Sequence, residues 1–514
     1  MPFALETIIA APFLAAIVLL FVPAGALGML RWVSALGAGV SLLTSVWVAA
    51  AYDLGTGGVQ FQSTWPVIPS LGIALRLGVD GWGVSLLLLT GLIIFAGVFA
   101  TWTLKDRVKE FYILLLVLVA GVFGVFVSLD LFMFFLFYEI AVLPMYLLIG
   151  IWGSSNKVAD AGPFRFVWKL FDIGGKEYAA MKLTLMLLIG SVLVLVVMVA
   201  MYLEAGGTTF DMRVLQAAGY GTTFQHLAFP ALWIGFGTLA GVWPFHTWSP
   251  DGHASAPTAV SMLHAGVLMK LGAFGVMRVG MLMLPEGARH WAWLVGGVAV
   301  LNILYGALSA MAQKDLKYII AYSSVSHMGV VLLGAATLTL NGWNGALYQM
   351  FAHGLMTGLF FALVGLVYER AHSRYVPDMG GFATVMPGVA VFFTLAGLSS
   401  LGLPGLAGFV AEFLVFLGAW EGAAPWWALI GIIGAWVTAV YVLRAVRAIF
   451  WGDGPSERFH DLSDAKGPEW VALVVLGTAL ILFGVLPGLI VTSINDSTSA
   501  YLPDVVGTQM EALK

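Results

Sequence analysis

The sequence predicts an all-α polytopic membrane protein with about fourteen transmembrane helices. Three observations carry this. Of 514 residues, 61% are hydrophobic and only 10% are charged, too little charge to cover the surface of a soluble chain of this length. Apolar runs recur along the whole sequence, each near the ~20 residues that carry a helix across a ~30 Å hydrocarbon core. The short alternating segments of a membrane β-barrel wall are not the pattern here. With no cysteine, disulfides, thiolate metal sites and cysteine-ligated iron–sulfur clusters are excluded. A net charge of −4 gives no sign of a nucleic-acid partner.

The first span, 3–23, includes "ETIIAAPFLAAIVLLFVPAG", which resembles a signal peptide but lacks a basic leading region, so it reads as a retained helix. The next five expected spans are 29–52, 81–104, 111–129, 131–151 and 181–204. Between the last two, the basic and aromatic segment at 163–182 reads as an interfacial helix or a cytoplasmic loop. The seventh span, 226–247, contains Pro244 and should break there. Four spans follow at 257–281, 287–309, 316–338 and 343–369. The twelfth, 387–421, is too long for one straight crossing, and Gly402, Pro404, Gly405 and Gly408 should divide it into two half-helices. The chain closes with spans at 425–451 and 469–493. Irregular backbone inside a membrane is tolerated only where protein or a wet cavity satisfies it.

Lys and Arg concentrate in loops after odd-numbered spans, as at Arg31, Lys105, Arg107, Lys109, Lys157 to Lys182, Lys314 and Arg444 to Lys466. Loops after even-numbered spans and the C-terminus carry few: Arg76, Arg213, Arg278, Arg289 and Lys514. The positive-inside rule therefore puts both termini on the outer side of the membrane. The two broken spans are five apart, an odd number, so units built around them would run in opposite directions. That is the pattern of an inverted-repeat transporter.

Polar groups stranded within these spans are the functional candidates. Glu139 lies near the middle of the fifth span, where an acidic residue costs ~2.5–3.5 kcal/mol. Lys270 lies halfway along the eighth, too deep to reach water easily, with His264 six residues earlier. Glu412 follows the expected break of the twelfth span. The tenth holds Lys317, near its cytoplasmic end, and the polar run Tyr322, Ser323, Ser324, Ser326 and His327; the eleventh holds His353. Each has a bland reading as a helix-to-helix tether or packing residue. Together, acids, a base and imidazoles strung through separate spans suit proton transfer. His246 and His253 sit in "PFHTWSPDGHASAP", but no third ligand at a recognisable spacing supports a metal. "GFGTLAG" (235–241) has the wrong spacing and setting for a nucleotide loop. No redox cofactor site is recognisable.

The motifs "FYEIAVLPMYLLIGIWG", "PFHTWSPDGHASAPTAVSMLHAGVLMKLGAFGVMR", "KDLKYIIAYSSVSHMG" and "GLPGLAGFVAEF" occur in this order between about residues 80 and 450. Together they resemble the antiporter-like subunits of respiratory complex I, NADH–quinone oxidoreductase, and the form at 139–146 favours the M-subunit branch. The resemblance implies N-terminal helices in 1–110, a first antiporter-like repeat in 111–281, a second, inverted repeat in 287–451, and a last helix and tail in 469–514. It implies that Glu139, Lys270 and Glu412 translocate protons, with His264, Lys317, His327, His353 and His246 as relay candidates. It implies sister subunits L and N as neighbours in a bacterial plasma membrane. NADH, flavin, iron–sulfur clusters and quinone would belong to other subunits, with no cofactor in this chain. One departure stands out. The family pairs the fifth-span glutamate with a seventh-span lysine, and here that position matches Leu239, with no Lys or Arg from 214 to 269. His246 and His264 are the substitutes the sequence offers. Competing readings are a subunit of a multi-subunit cation/proton antiporter or membrane-bound hydrogenase, and a structural membrane-arm subunit that has lost pumping.

Overall fold

The computed structural model describes residues 3–55, 58–155, 174–452 and 454–507. The chain starts with a helical hairpin, α1 (Ala4–Phe21) and α2 (Leu27–Ala51), turned at Pro23. A β-hairpin follows, β1 (Gln60–Ile68) antiparallel to β2 (Ile73–Val79), with Thr64 opposite Arg76 and Trp65 opposite Leu75. The segment 60–79 lacks an apolar run long enough for a helical span, and its backbone groups pair across the hairpin instead, the one sheet among the described residues of a mostly helical chain. Gly72 turns it at φ +67°, and a Cβ there would lie 2.0 Å from the Thr208 carbonyl oxygen, so only glycine fits.

The membrane helices continue with α3 (Gly81–Ala100), α4 (Val108–Val127), α5 (Leu131–Trp152) and α6 (Lys176–Glu204). Of the segment expected at 163–182 to be interfacial, 163–173 lies outside the described residues, and α6 takes up its end. The expected seventh span is interrupted. Helix α7 (Thr222–Ala240) ends at Gly241, whose φ is +76°, and the chain resumes helically as α8 (Trp248–Ser255). Then come α9 (Thr258–Met281), α10 (Pro285–Ala312), α11 (Leu316–Ala336) and α12 (Leu340–Ala371). The expected twelfth span is also interrupted, as α13 (Pro387–Ser400) and α14 (Ala407–Glu421). Gly402, Pro404 and Gly405 form the break, whereas Gly408 is helical and serves close packing: a Cβ on it would lie 2.0 Å from the Ser399 carbonyl oxygen. Helix α15 (Trp426–Phe450) precedes a final pair, α16 (Glu469–Val485) and α17 (Gly488–Val506), bent by 65°. That bend, at Pro487, divides the last span expected at 469–493.

Among the described residues eleven helices are long and apolar enough to cross a bilayer, or twelve if the bent pair counts as one. The shortfall from fourteen falls at the two interrupted spans, whose pieces do not each meet that length and apolarity. Helices α9 and α12 are buried along their whole apolar windows and form the centre, with α3 and α11 beside them.

Two connections are built alike. Asp130 caps α5, accepting hydrogen bonds from the Phe132 and Met133 amides, and its residue bridges to Asp211 after α6. Asp315 caps α11, accepting from the Lys317 and Tyr318 amides, and bridges to Tyr375 after α12. Each cap holds an arginine, Arg76 for Asp130 and Arg374 for Asp315. A carboxylate at a helix start satisfies orphan N–H groups and suits the dipole.

Candidate functional site

The interruptions place polar groups at the centre of the bundle and consume the backbone groups they free. After α7, the Trp243 amide donates to Asn302 Oδ1 at 2.9 Å, and Asn302 Nδ2 donates to the Val325 carbonyl at 2.8 Å. After α13, the Ser400 carbonyl faces His327 Nε2 at 3.1 Å. In both cases a buried side chain from α10 or α11 replaces the missing helical bond, as a non-aqueous environment requires.

Helix α9 is not a regular α-helix. Residues His264–Leu268 and Val276–Met281 form π-helical turns, which are frequent at functional sites. The first turn directs Lys270 inward, with its side chain fully buried. Lys270 Nζ donates to the Ala265 carbonyl and stands 2.7 Å from His353 Nδ1 on α12. The His353 ring stacks on His327 of α11, centroids 5.1 Å apart. His327 Nδ1 lies 2.8 Å from the Ser323 carbonyl, and Nε2 lies 3.6 Å from Glu412 Oε1 on α14. Glu412 is 8% exposed. The Tyr441 hydroxyl on α15 extends the cluster by donating to Ser323 Oγ at 2.7 Å. Lysine, two imidazoles and a carboxylate, contributed by four helices, thus form one buried row.

Every member of this row is a titratable group. Both nitrogens of His327 face carbonyl oxygens, so the neutral ring donates to only one of them and the protonated ring to both. His353 presents Nδ1 to Lys270 and leaves Nε2 without a partner. Such rings can accept a proton on one edge and release it from the other.

The remaining expected residues lie elsewhere. His264 meets His253 with centroids 4.0 Å apart, and both rings are buried with their nitrogens unpartnered. Lys317 Nζ donates to the Ala256 carbonyl at 2.8 Å, which ties the start of α11 to the end of α8. His246 packs against Tyr305 at 4.8 Å and makes no hydrogen bond. Glu139 stands apart from the row. The Ser191 hydroxyl of α6 is its polar neighbour, its Oε1 has no partner, and neither His246 nor His264 pairs with it. The two imidazoles expected to substitute for the missing lysine therefore do not do so. Leu239 is buried and faces α5 and α9. No group of three or more metal-ligating side chains occurs among the described residues.

Sequence reasoning missed Tyr441 and the Ser400 carbonyl, and it treated His253 only as a metal candidate. Tyr441 sits in an otherwise ordinary apolar span and gives no local signal. His253 shared a segment with His246 and Asp251, and that polar company disguised its full burial.

Comparison with known proteins adds identity to this geometry. Residues 128–175 and 171–438 match the family model described as "NADH:quinone oxidoreductase/Mrp antiporter, TM". The chain is 37% identical to NAD(P)H-quinone oxidoreductase chain 4 1 of Picosynechococcus sp., covering 96% of this chain and 91% of that one. It is 36% identical to NADH-quinone oxidoreductase subunit M of Rhodobacter capsulatus, over 91% of this chain and 90% of the other. Its structure superposes on a chain of Thermus thermophilus respiratory complex I with a TM-score of 0.87 and 29% identity, covering 98% of this chain and all of that one. The matched segments carry every residue of the buried row, and the chain belongs to the NADH:quinone oxidoreductase/Mrp antiporter transmembrane family.

Proposed function

We propose that this chain is the M-type membrane-arm subunit of an NADH:quinone oxidoreductase and moves protons in step with electron transfer in other subunits. The observation that carries this is the buried row Lys270, His353, His327 and Glu412. A buried lysine without a carboxylate partner is costly, and imidazoles that link it to an acid beside a helix break give it an outlet. Lys270 is the central switch and Glu412 the terminal group, with His353 and His327 between them. His264, His253 and Lys317 form the approach from the cytoplasmic face.

The alike caps at Asp130 and Asp315 support two five-helix units of opposite direction, because α5 and α11 begin one span after an even and an odd crossing respectively. The distribution of Lys and Arg supports a plasma-membrane subunit with both termini outside. Full-length similarity to subunit M supports neighbours of the L and N type, with NADH, flavin, iron–sulfur clusters and quinone held by other subunits.

The test is proton translocation by the purified complex in liposomes, measured per NADH oxidised. Lys270→Met keeps most of the apolar stem and removes the titratable group. It should lower the proton yield per assembled complex. A yield that falls only as the amount of complex falls makes Lys270 a packing residue and removes this function.

A further inference from the structure

We infer that Leu239 is an apolar plug that divides the buried polar axis and leaves Glu139 outside the proton route formed by Lys270, His353, His327 and Glu412. The inference rests on the proposed proton-pumping function and specifies which half of the membrane domain does the transfer.

The argument starts from what lies between Glu139 and the row. Helices α5, α6, α7 and α9 border a narrow void, lined by Val142, Met145, Leu187, Leu239, Leu268 and His264. Val142 is one turn along α5 from Glu139. Leu187 is one turn along α6 from Ser191, which flanks the Glu139 carboxylate. On the opposite wall, Leu268 and His264 belong to the stretch of α9 that leads into Lys270. The void therefore reaches from the turn beside Glu139 to the approach of Lys270, and Leu239 stands in it.

Proton transfer needs donor and acceptor within hydrogen-bond reach, directly or through one water. Apart from the His264 ring, the named wall is apolar and offers neither donor nor acceptor. The space is too tight to admit a water-sized sphere, and apolar cavities stay dry even when larger. The other route past α5 is closed as well. Tyr138, next to Glu139, packs its ring on Phe135 and Phe236, and its hydroxyl has no partner. On the far side titratable groups stand close together: Lys270 lies 2.7 Å from His353, the His353 ring stacks on His327 at 5.1 Å, and His327 lies 3.6 Å from Glu412. The polar groups are thus dense on one side of Leu239 and sparse on the other. A lysine at 239 would bridge this gap with its own titratable group; leucine blocks it with four apolar carbons.

Three variants in the assembled complex test the plug, each read as protons moved per NADH oxidised and normalised to the amount of complex. Glu139→Gln should retain the wild-type ratio, because the carboxylate it neutralises is off the route. Leu239→Phe, which puts a larger apolar side chain at the same place, should also retain it. Lys270→Met should lower the ratio by the share of protons that this chain moves, because it removes a proton-transfer group from the route. If Glu139→Gln or Leu239→Phe lowers the ratio as Lys270→Met does, protons cross position 239 and the plug is refuted while the pumping function stands. If Lys270→Met leaves the ratio unchanged, the pumping function itself fails, and the plug with it. Should Glu139→Gln impair assembly, Leu239→Phe alone still reads the route, since it leaves every polar group in place.

Discussion

Lys270 Nζ and His353 Nδ1 lie 2.7 Å apart on two different helices, with no carboxylate in contact with either. A lysine so placed shares its proton with an imidazole rather than with an acid, so the proton can leave it without separating a buried ion pair. His353→Phe keeps the ring stacked on His327 and removes both nitrogens. Losing a hydrogen bond of this kind costs about 1–3 kcal/mol, equivalent to roughly 5- to 160-fold in a rate. The variant should assemble normally and pump poorly. Blue native gels paired with proton-uptake traces check this, and a loss of complex in proportion to activity would make His353 structural.

The pair meets because two glycines let α9 and α12 cross closely. A Cβ added at Gly354 would lie 2.6 Å from the Gly266 carbonyl oxygen and 2.6 Å from the methyls of Leu89. Gly354→Ala should push α12 away from α9, lengthen the contact between Lys270 and His353, and cost about 1–3 kcal/mol as overpacking does. The expected result is a lower Tm together with a lower proton yield per complex. A full yield from the destabilised variant would show that the contact tolerates the shift.

Much of this was readable in the sequence, for identifiable reasons. Glu412, Lys270, His327 and His353 stand out because charge and imidazole are rare among apolar neighbours. Pro244 and the Gly402, Pro404, Gly405 group announce the breaks because neither residue type continues a helix. The pairings were not readable. That Lys270 meets His353 depends on a crossing at Gly266 and Gly354, and that Asp80 meets Arg278 joins residues far apart in the chain. The bend at Pro487 was hidden because both arms are apolar enough to pass as one helix. The isolation of Glu139 was half visible: the absence of a lysine between 214 and 269 was plain, but not that the substitute histidines face elsewhere.

Gly402 and Gly405 separate backbone strain from carboxylate placement. Both have left-handed backbones, φ +71° and +92°, so alanine at either costs about 1–2 kcal/mol. A Cβ at Gly402 would also lie 2.8 Å from Glu412 Oε2, whereas one at Gly405 meets open space. Both variants should lower Tm by similar amounts, and only Gly402→Ala should reduce proton translocation further. Equal pumping by the two would show that the position of the Glu412 carboxylate is not limiting. Glu412→Gln completes the series, keeping shape while removing charge, and should pump less than either.

Asp80 and Arg278 hold the C-terminal end of α9 in place. Their side chains meet at 2.5 Å, with Asp80 1% and Arg278 13% exposed. The Tyr501 hydroxyl donates to Asp80 Oδ2 at 2.8 Å, and the Arg278 guanidinium lies over the rings of Trp82, Phe274 and Tyr501. One ion pair thus joins α3, α9 and α17. Asp80 also caps α3, accepting from the Gly83 amide, a role that asparagine can keep. Asp80→Asn should therefore spare the cap and strand the arginine, and an uncompensated buried charge costs about 3–5 kcal/mol. The amount of assembled complex should drop sharply. Adding Arg278→Met removes the stranded charge, and the double variant should recover much of the loss, since an apolar replacement of a buried pair is often close to neutral. Thermal melts and complex yields of the two single variants and the double variant check this. A double variant no better than Asp80→Asn alone would mean that the guanidinium is held by the three rings rather than by the carboxylate.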